Sequence, residues 1–361
     1  MLSNTLQNPS KRLVHLDLLR LLAIYLVIFN HTGDRGYFLF ADRGDSLLYF
    51  PYMMFSVFCK IAVPLFFMIS GALLLPKQET LKQLYTKRVF KMLTVLLLVS
   101  IPYYLWLQRS NGLNPWSFVS FIYGESASTS LWYLYSYIGL LIVMPFLRSM
   151  VANMRYNDYL YLIVGHLIFT GFIPCLELLL WKEQTVIHES FDPAIMTCSP
   201  IVYAILGYFL EHVLDEAKYT KRNLAIGLFL GLVAVVLTSL VTYYQTTVIN
   251  VVGNQYEKYF NCFIAIPALG IYYTIKYISR RIKSNKLINS ISMLGASVFG
   301  VYLIEKIVRA ITDNVYGILS PFVGSFIASL VWCSVVLAMS LVIITVVKRI
   351  PYVKDIVNKL I

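Results

Sequence analysis

His15–His31 reads HLDLLRLLAIYLVIFNH. The run is too apolar for a helix on the surface of a soluble protein, yet it carries Asp17, Arg20 and a histidine at each end. A helix crossing the hydrocarbon of a bilayer needs about 20 mostly apolar residues, each rising about 1.5 Å. Nine further runs of the same kind follow. The expected spans are 13–33, 58–75, 86–108, 131–149, 157–180, 195–213, 223–245, 259–278, 291–310 and 322–347. The chain has 361 residues, 58% hydrophobic and only 13% charged, about half the charge of an ordinary soluble domain. The runs leave no room for a separate soluble domain. The expectation is an all-α, polytopic membrane bundle of about ten transmembrane helices, forming one domain over residues 1–361.

Orientation follows from the basic residues. With the N-terminus inside, the inner segments hold Lys11 and Arg12, five basic residues from Lys77 to Lys91, Arg148 and Arg155, Lys218, Lys221 and Arg222, five from Lys276 to Lys286, and four from Lys348 to Lys359. That makes twenty-one inside. The outer loops hold at most eight, counting Lys60 as snorkelling to the outer interface. The positive-inside rule then puts both termini in the cytoplasm. It also accounts for the formal charge of +12 without nucleic acid as a partner. No A-x-A site follows the first run, so it reads as a retained span and not a cleaved leader. The five cysteines are scattered and form no CxxC or Cys/His cluster, so neither a zinc site nor a disulfide framework is indicated. The outer loop 34–57, with the aromatics Tyr49, Phe50 and Tyr52, reads as an interfacial segment. The outer loop 181–194, with Glu183, His188, Glu189 and Asp192, reads as polar.

Ionisable groups inside the first span need partners or a water-filled cavity. Arg20 and His31 are eleven residues apart. At about 100° per residue they return to within roughly 20° of one face, separated by some 16 Å along the axis. Asp17 lies three residues before Arg20, within pairing distance on a helix. One reading is a packing lock made by Asp17 and Arg20, with His31 capping the outer end. The other is a channel with a cation low and a base high. Histidine suits a base, since its ordinary pKa of about 6.5 leaves a neutral imidazole at pH 7. Asp34, three residues on, reads either as a group that orients that imidazole or as an ordinary exposed loop acid.

Arg20, ten intervening residues and His31 reproduce the R-x10-H signature of the acyltransferase-3 family. Further blocks resemble that family in the same order: PLFFMISGALL (Pro64–Leu74), KRVFK (Lys87–Lys91), LWYLYSYIGLLIVMPFLR (Leu131–Arg148), ILGYFLE (Ile205–Glu211) and SVFGVYLIEK (Ser297–Lys306). The resemblance covers nearly the whole chain. It implies a membrane-bound O-acyltransferase of surface glycans, moving an acetyl group from cytoplasmic acetyl-CoA to a saccharide hydroxyl outside a bacterial plasma membrane. It further implies that His31 is the catalytic histidine, that Arg20 helps hold the donor, and that Arg88 and Lys91 lie at the CoA entrance. Two positions depart from the pattern. Lys91 stands for an arginine, keeping charge but losing bidentate phosphate recognition. Glu305 stands where many relatives have histidine, and it lies four residues before Arg309, a spacing at which the two can simply pair.

CoA is a polyanion, and Lys82, Lys87, Arg88 and Lys91 supply cations at one inner loop, with Arg280, Arg281, Lys283 and Lys286 at another. An oxyanion forming on the thioester needs a donor. Ser70, Trp132 and Tyr133 are candidates, and Tyr302 and Glu305 are further possible substrate contacts. Trp132 and Tyr133 read equally as interfacial anchors, and Ser70-Gly71 as a small-residue helix contact. His166 reads as a hydrogen-bonded packing group. The main rival is a transporter or flippase for a glycan or small polar substrate. It lacks the paired Gly/Pro-broken spans that transporters often show, and no P-loop points to ATP.

Overall fold

A computed structural model describes residues 13–41, 47–107, 114–124, 129–182, 188, 191–249 and 260–350. Every regular element among them is helical. The helices are α1 Val14–Asn30, α2 Tyr49–Cys59, α3 Ala62–Leu74, α4 Phe90–Leu107, α5 Pro115–Gly124, α6 Trp132–Asn153, α7 Tyr156–Leu167, α8 Ile173–Trp181, α9 Ser199–Tyr208, α10 Lys221–Thr247, α11 Ala265–Ser279, α12 Asn285–Gly295, α13 Val298–Ile311, α14 Asp313–Val323 and α15 Ser325–Val347. Side-chain caps start several of them. The Thr220 hydroxyl accepts from Asn223 N at α10, and Ser284 does the same for Leu287 N at α12. Each satisfies a backbone donor that the first turn leaves without a partner.

Among the described residues, six helical stretches are long and apolar enough to cross a membrane: Tyr49–Leu74, Leu81–Leu105, Trp132–Asn153, Tyr156–Trp181, Lys221–Thr247 and Ser325–Val347. A seventh arises if α12 and α13, bent by 58° at their junction, count as one broken span. The remaining expected spans are helical but short. The first is the 17-residue α1, the sixth is α9 continued through a five-residue π turn at Phe209–Val213, and the eighth is the 15-residue α11. Length and composition therefore support six or seven spans where ten are expected.

The loop expected over 34–57 is corrected in part. Its second half is α2, which runs on into α3 as one 26-residue stretch. Its aromatics pack against other helices: Tyr52 stacks on Phe326, and the Tyr49 hydroxyl lies 2.9 Å from Thr246 Oγ1. Half of the loop 181–194, including Glu183 and Glu189, falls outside the described residues, as do Lys11, Arg12, Arg43, Arg109, Lys258, Lys354 and Lys359 of the charge tally.

The helix pairings with the most contact are α3 with α9 and α10 with α11. The first is a reciprocal close approach. A Cβ on Gly71 would lie 1.8 Å from Ala204 O, and one on Gly207 would lie 1.9 Å from Met68 O. Only residues without side chains let these backbones meet, the small-residue packing typical of helices in lipid. Around this contact α1 packs on α3, α12, α13 and α15.

Candidate active site

One cavity of about 1050 Å³ runs into the bundle. Its wall comes from α1, the α2–α3 joint, α3 itself, the starts of α6 and α9, the turn before α4, and the α12–α13 kink. Arg20, His31, Ser70, Arg88, Lys91, Trp132, Tyr133 and Tyr302 all line it. Asp17, Asp34 and Glu305 are not among the lining residues. Helices α1 and α3 run antiparallel: Asn30 at the end of α1 donates to Cys59 O just before α3, at 3.1 Å. His31, Asn30 and Lys60 therefore stand at one end of the cavity, and Lys77, Arg88 and Lys91 at the other. Arg20 lies between them on the His31 face of α1.

Asp17 is fully buried and accepts from the Arg20 guanidinium, which fixes the arginine's direction. The end of α12 closes over the pair, because a Cβ on Gly295 would lie 2.5 Å from Asp17 Cβ. His31 draws its partner from the far end of the chain. His31 Nδ1 lies 2.8 Å from Glu305 Oε1, and Arg309 Nε donates to the other carboxylate oxygen at 3.4 Å. Glu305 is completely buried. An ionised carboxylate only accepts, so in a neutral His31 imidazole this contact would place the proton on Nδ1 and leave Nε2 as the acceptor. Asp34 does not orient the ring. It is exposed in the turn Gly33–Arg35.

The candidate oxyanion donors separate clearly. Tyr302 donates to Ser130 O at 2.6 Å, and Ser70 donates to Phe66 O at 2.8 Å. Both hydroxyl protons are committed to backbone carbonyls. Tyr133 is engaged with Ser70 as well. The indole N–H of Trp132 donates to no described residue, and the ring is half-exposed at the cavity. Ser70 and Gly71 divide the two readings of their dipeptide. Ser70 faces the cavity while Gly71 makes the helix contact.

At the opposite end Arg88 lies in a π turn at Tyr85–Val89, a distortion that often accompanies function. Its Nε donates to Glu79 Oε2 at 2.9 Å, and its Nη2 binds the other oxygen. Arg148 Nη2 donates to the same Glu79 Oε2 at 2.9 Å and ties itself to Leu74 O through two nitrogens. The hydrogen-bonded Arg88 guanidinium holds the Glu79 carboxyl down, to about 2. Lys77 sits nearby with its ammonium pushed down by desolvation. Arg148 thus anchors Glu79, and Glu79 anchors Arg88 at the cavity.

A family model described as an acyltransferase domain matches residues 13–347. The chain belongs to the acyltransferase-3 family. Membership makes it a membrane acyl-transfer enzyme, in keeping with its apolar helices. Neither a curated protein nor a solved structure gives a significant match.

Several basic and histidine residues of this acyltransferase-3 chain lie away from the cavity. Arg280 pairs with Glu216, and Arg281 lies over the ring of Tyr277. Lys283 and Lys286 do not line the cavity either. His166 Nδ1 meets Met196 O at 2.6 Å, the packing role expected of it. His15 and Tyr272 hold Glu211 at 3.0 Å each, with Lys276 at 3.3 Å. Sequence reasoning missed Glu79 and Arg148. The only available signal was that Glu79 is the one acid among the basic residues from Lys77 to Lys91.

Proposed function

We propose that the protein is an O-acetyltransferase that carries an acetyl group from cytoplasmic acetyl-CoA to a hydroxyl of an extracytoplasmic saccharide, either a cell-surface polysaccharide or a lipid-linked glycan. The observation that carries this reading is the single cavity that joins a cationic mouth to an imidazole–carboxylate pair. The volume suits a donor of this size, since ligand sites commonly enclose about 300–1,000 Å³. The phosphates of CoA would bind Lys77, Arg88 and Lys91, with the acyl arm reaching past Arg20. The acceptor hydroxyl would attack the thioester carbonyl while His31 Nε2 takes its proton. Glu305 would stabilise the resulting imidazolium. Collapse of the tetrahedral intermediate breaks the C–S bond, and the imidazolium returns its proton to the leaving thiolate. Trp132 is the proposed oxyanion donor.

The same reading assigns ten spans, cytoplasmic termini, a plasma-membrane location and a single domain over residues 1–361. The excess of inner basic residues supports the topology. Membranes containing the protein are expected to move radiolabelled acetyl from acetyl-CoA to a glycan acceptor. His31→Ala should abolish transfer while acetyl-CoA still binds, and Arg88→Ala should weaken that binding. Unchanged transfer by His31→Ala would refute the assignment. Movement of a glycan without acyl incorporation would favour a transporter.

A further inference from the structure

A second hollow, of about 500 Å³, is lined by Arg35, Asp313, Asn314, Tyr316, Gly317 and Ile318. None of these residues borders the cavity that holds His31. Two chain segments carry the hollow away from the His31–Glu305 pair. Arg35 stands four residues past His31, in the short turn after α1. Asp313 opens α14, and the stretch of α13 from Glu305 to Thr312 before it rises about 10 Å. Helix α15 fastens both segments: Ser329 donates to Arg35 O, and Trp332 Nε1 donates to Thr312 Oγ1 at 3.0 Å. On the topology proposed above, the hollow opens on the extracytoplasmic face just beyond His31.

The lining mixes donors, acceptors and apolar surface. Arg35 Nη1 donates to Asp313, and the guanidinium carbon lies 5.4 Å from the Tyr316 ring centroid and 5.8 Å from that of Trp332. The two rings and the carboxylate hold the guanidinium in one place. The pair brings one charge of each sign, so the hollow is neutral as a whole. Asn314 is exposed and Tyr316 half-buried, and neither the amide nor the phenol hydroxyl is hydrogen-bonded to a described residue. Both groups donate and accept. The Tyr316 ring and Ile318 add apolar surface. A Cβ on Gly317 would meet nothing within 4 Å, so this side of the hollow is open.

The geometry points to a second saccharide subsite, which holds an uncharged sugar unit of the acceptor glycan while a neighbouring unit reaches His31. The inference rests on the acetyl-transfer reading above. Sugar hydroxyls each donate and accept, as the Asn314 and Tyr316 groups do, and the C–H face of a sugar ring suits the Tyr316 ring and Ile318. An anionic unit would meet the Asp313 carboxylate and a cationic one the Arg35 guanidinium, so a neutral unit fits best. Binding one chain at two places raises the local concentration of its hydroxyls at the base.

The test uses the full chain in lipid nanodiscs. The probes are maltotetraose, cellotetraose and N-acetylated chitotetraose, each beside its own methyl monosaccharide. Binding is read by isothermal titration and acetyl transfer by steady-state kinetics. For at least one of the three, the wild-type KM and Kd should be about tenfold lower for the tetrasaccharide than for the monosaccharide, the worth of one or two net hydrogen bonds. Gly317→Phe fills the hollow from its open side, and Asn314→Ala removes the amide. Each should erase most of the tetrasaccharide advantage, and Gly317→Phe should keep monosaccharide transfer and acetyl-CoA binding. No advantage for any tetrasaccharide in the wild type would overturn the inference, whether or not the variants fold. So would an advantage that survives Gly317→Phe, or a loss that this variant spreads equally over monosaccharide and tetrasaccharide. Tetrasaccharide binding that both variants weaken, without acetyl transfer to any acceptor, would uphold the subsite and refute acetyl transfer instead.

Discussion

Replacing Glu305 with glutamine probes the pairing on which the proposed base role of His31 depends. The substitution keeps the side chain's shape and removes its charge. Glu305 Oε1 lies 2.8 Å from His31 Nδ1, and the carboxylate is fully buried. At that distance the bare attraction between a carboxylate and an imidazolium is about 6 kcal/mol for an effective dielectric of about 20. Desolvation of Glu305 offsets much of it, and Arg309 shares the carboxylate. The net worth of a hydrogen bond to a charged group is about 1.5–3 kcal/mol. In the proposed mechanism the imidazole goes from neutral to charged as it takes the proton, so this energy falls on the transition state. At about 1.36 kcal/mol per decade, kcat should drop roughly 10- to 150-fold. Glutamine can also present its amide N–H to Nδ1, which would move the imidazole proton to Nε2 and add to the loss. Acetyl-CoA binding and acceptor KM should change little, because Glu305 does not line the cavity. The assay is steady-state acetyl transfer with donor and acceptor varied separately, beside direct titration of acetyl-CoA. Wild-type kcat in a folded Glu305→Gln protein would refute the argument, and a loss confined to KM would mean that Glu305 acts on binding.

Two further predictions concern the scaffold. The Glu79 carboxyl is held from its ordinary value near 4.5 down to about 2 by Arg88, so its stabilisation is complete above about 4.5 and is lost as pH falls towards about 2. Thermal melts between pH 6 and 3 should therefore show the gap between wild type and Glu79→Gln closing below that point; a constant gap would count against the Glu79–Arg88 pairing. Gly71→Ala would force a Cβ to 1.8 Å from Ala204 O and should destabilise the protein by about 1–3 kcal/mol or more, read as a lower melting temperature. Gly139→Ala, with nothing within 4 Å of the added carbon, serves as the control.

Much of the site was legible because it depends on helical periodicity. Arg20 and His31 sit on one helix, and a fixed rotation per residue puts them on one face. Contacts between helices were not legible in that way. Glu305 lies 274 residues from His31, and within its own helix the obvious partner was Arg309. Asp34, three residues from His31, had two readings, a partner for the imidazole or an ordinary exposed loop acid, and the second holds. Gly33, at φ +58°, turns the chain there into a short 3₁₀ segment that leaves Asp34 exposed. A left-handed residue at that point breaks the helical geometry on which the first reading relied. Arg148 was read as a marker of the inner face and as the end of a family-like block, whereas its guanidinium closes the hydrogen bonds around Glu79.

The difference between six or seven spans and ten has a physical reading that concerns the site itself. The long apolar stretches Lys221–Thr247 and Ser325–Val347 are only 28% buried, and neither lines the cavity. Their hydropathy reflects a surface turned outward. The elements that fall short of a span by length or straightness include α1, α9 and the bent α12–α13 pair, and all three line the cavity. A helix that borders a polar cavity does not need an apolar side chain at every position, and irregular backbone at membrane depth is tolerated where protein or water satisfies it. The α12–α13 kink falls at residues 295–298, between the Asp17–Arg20 pair and Tyr302. Straightening it into a continuous helix would carry Glu305 away from His31. The short helices α1 and α9 and the sharp α12–α13 bend therefore all border the cavity.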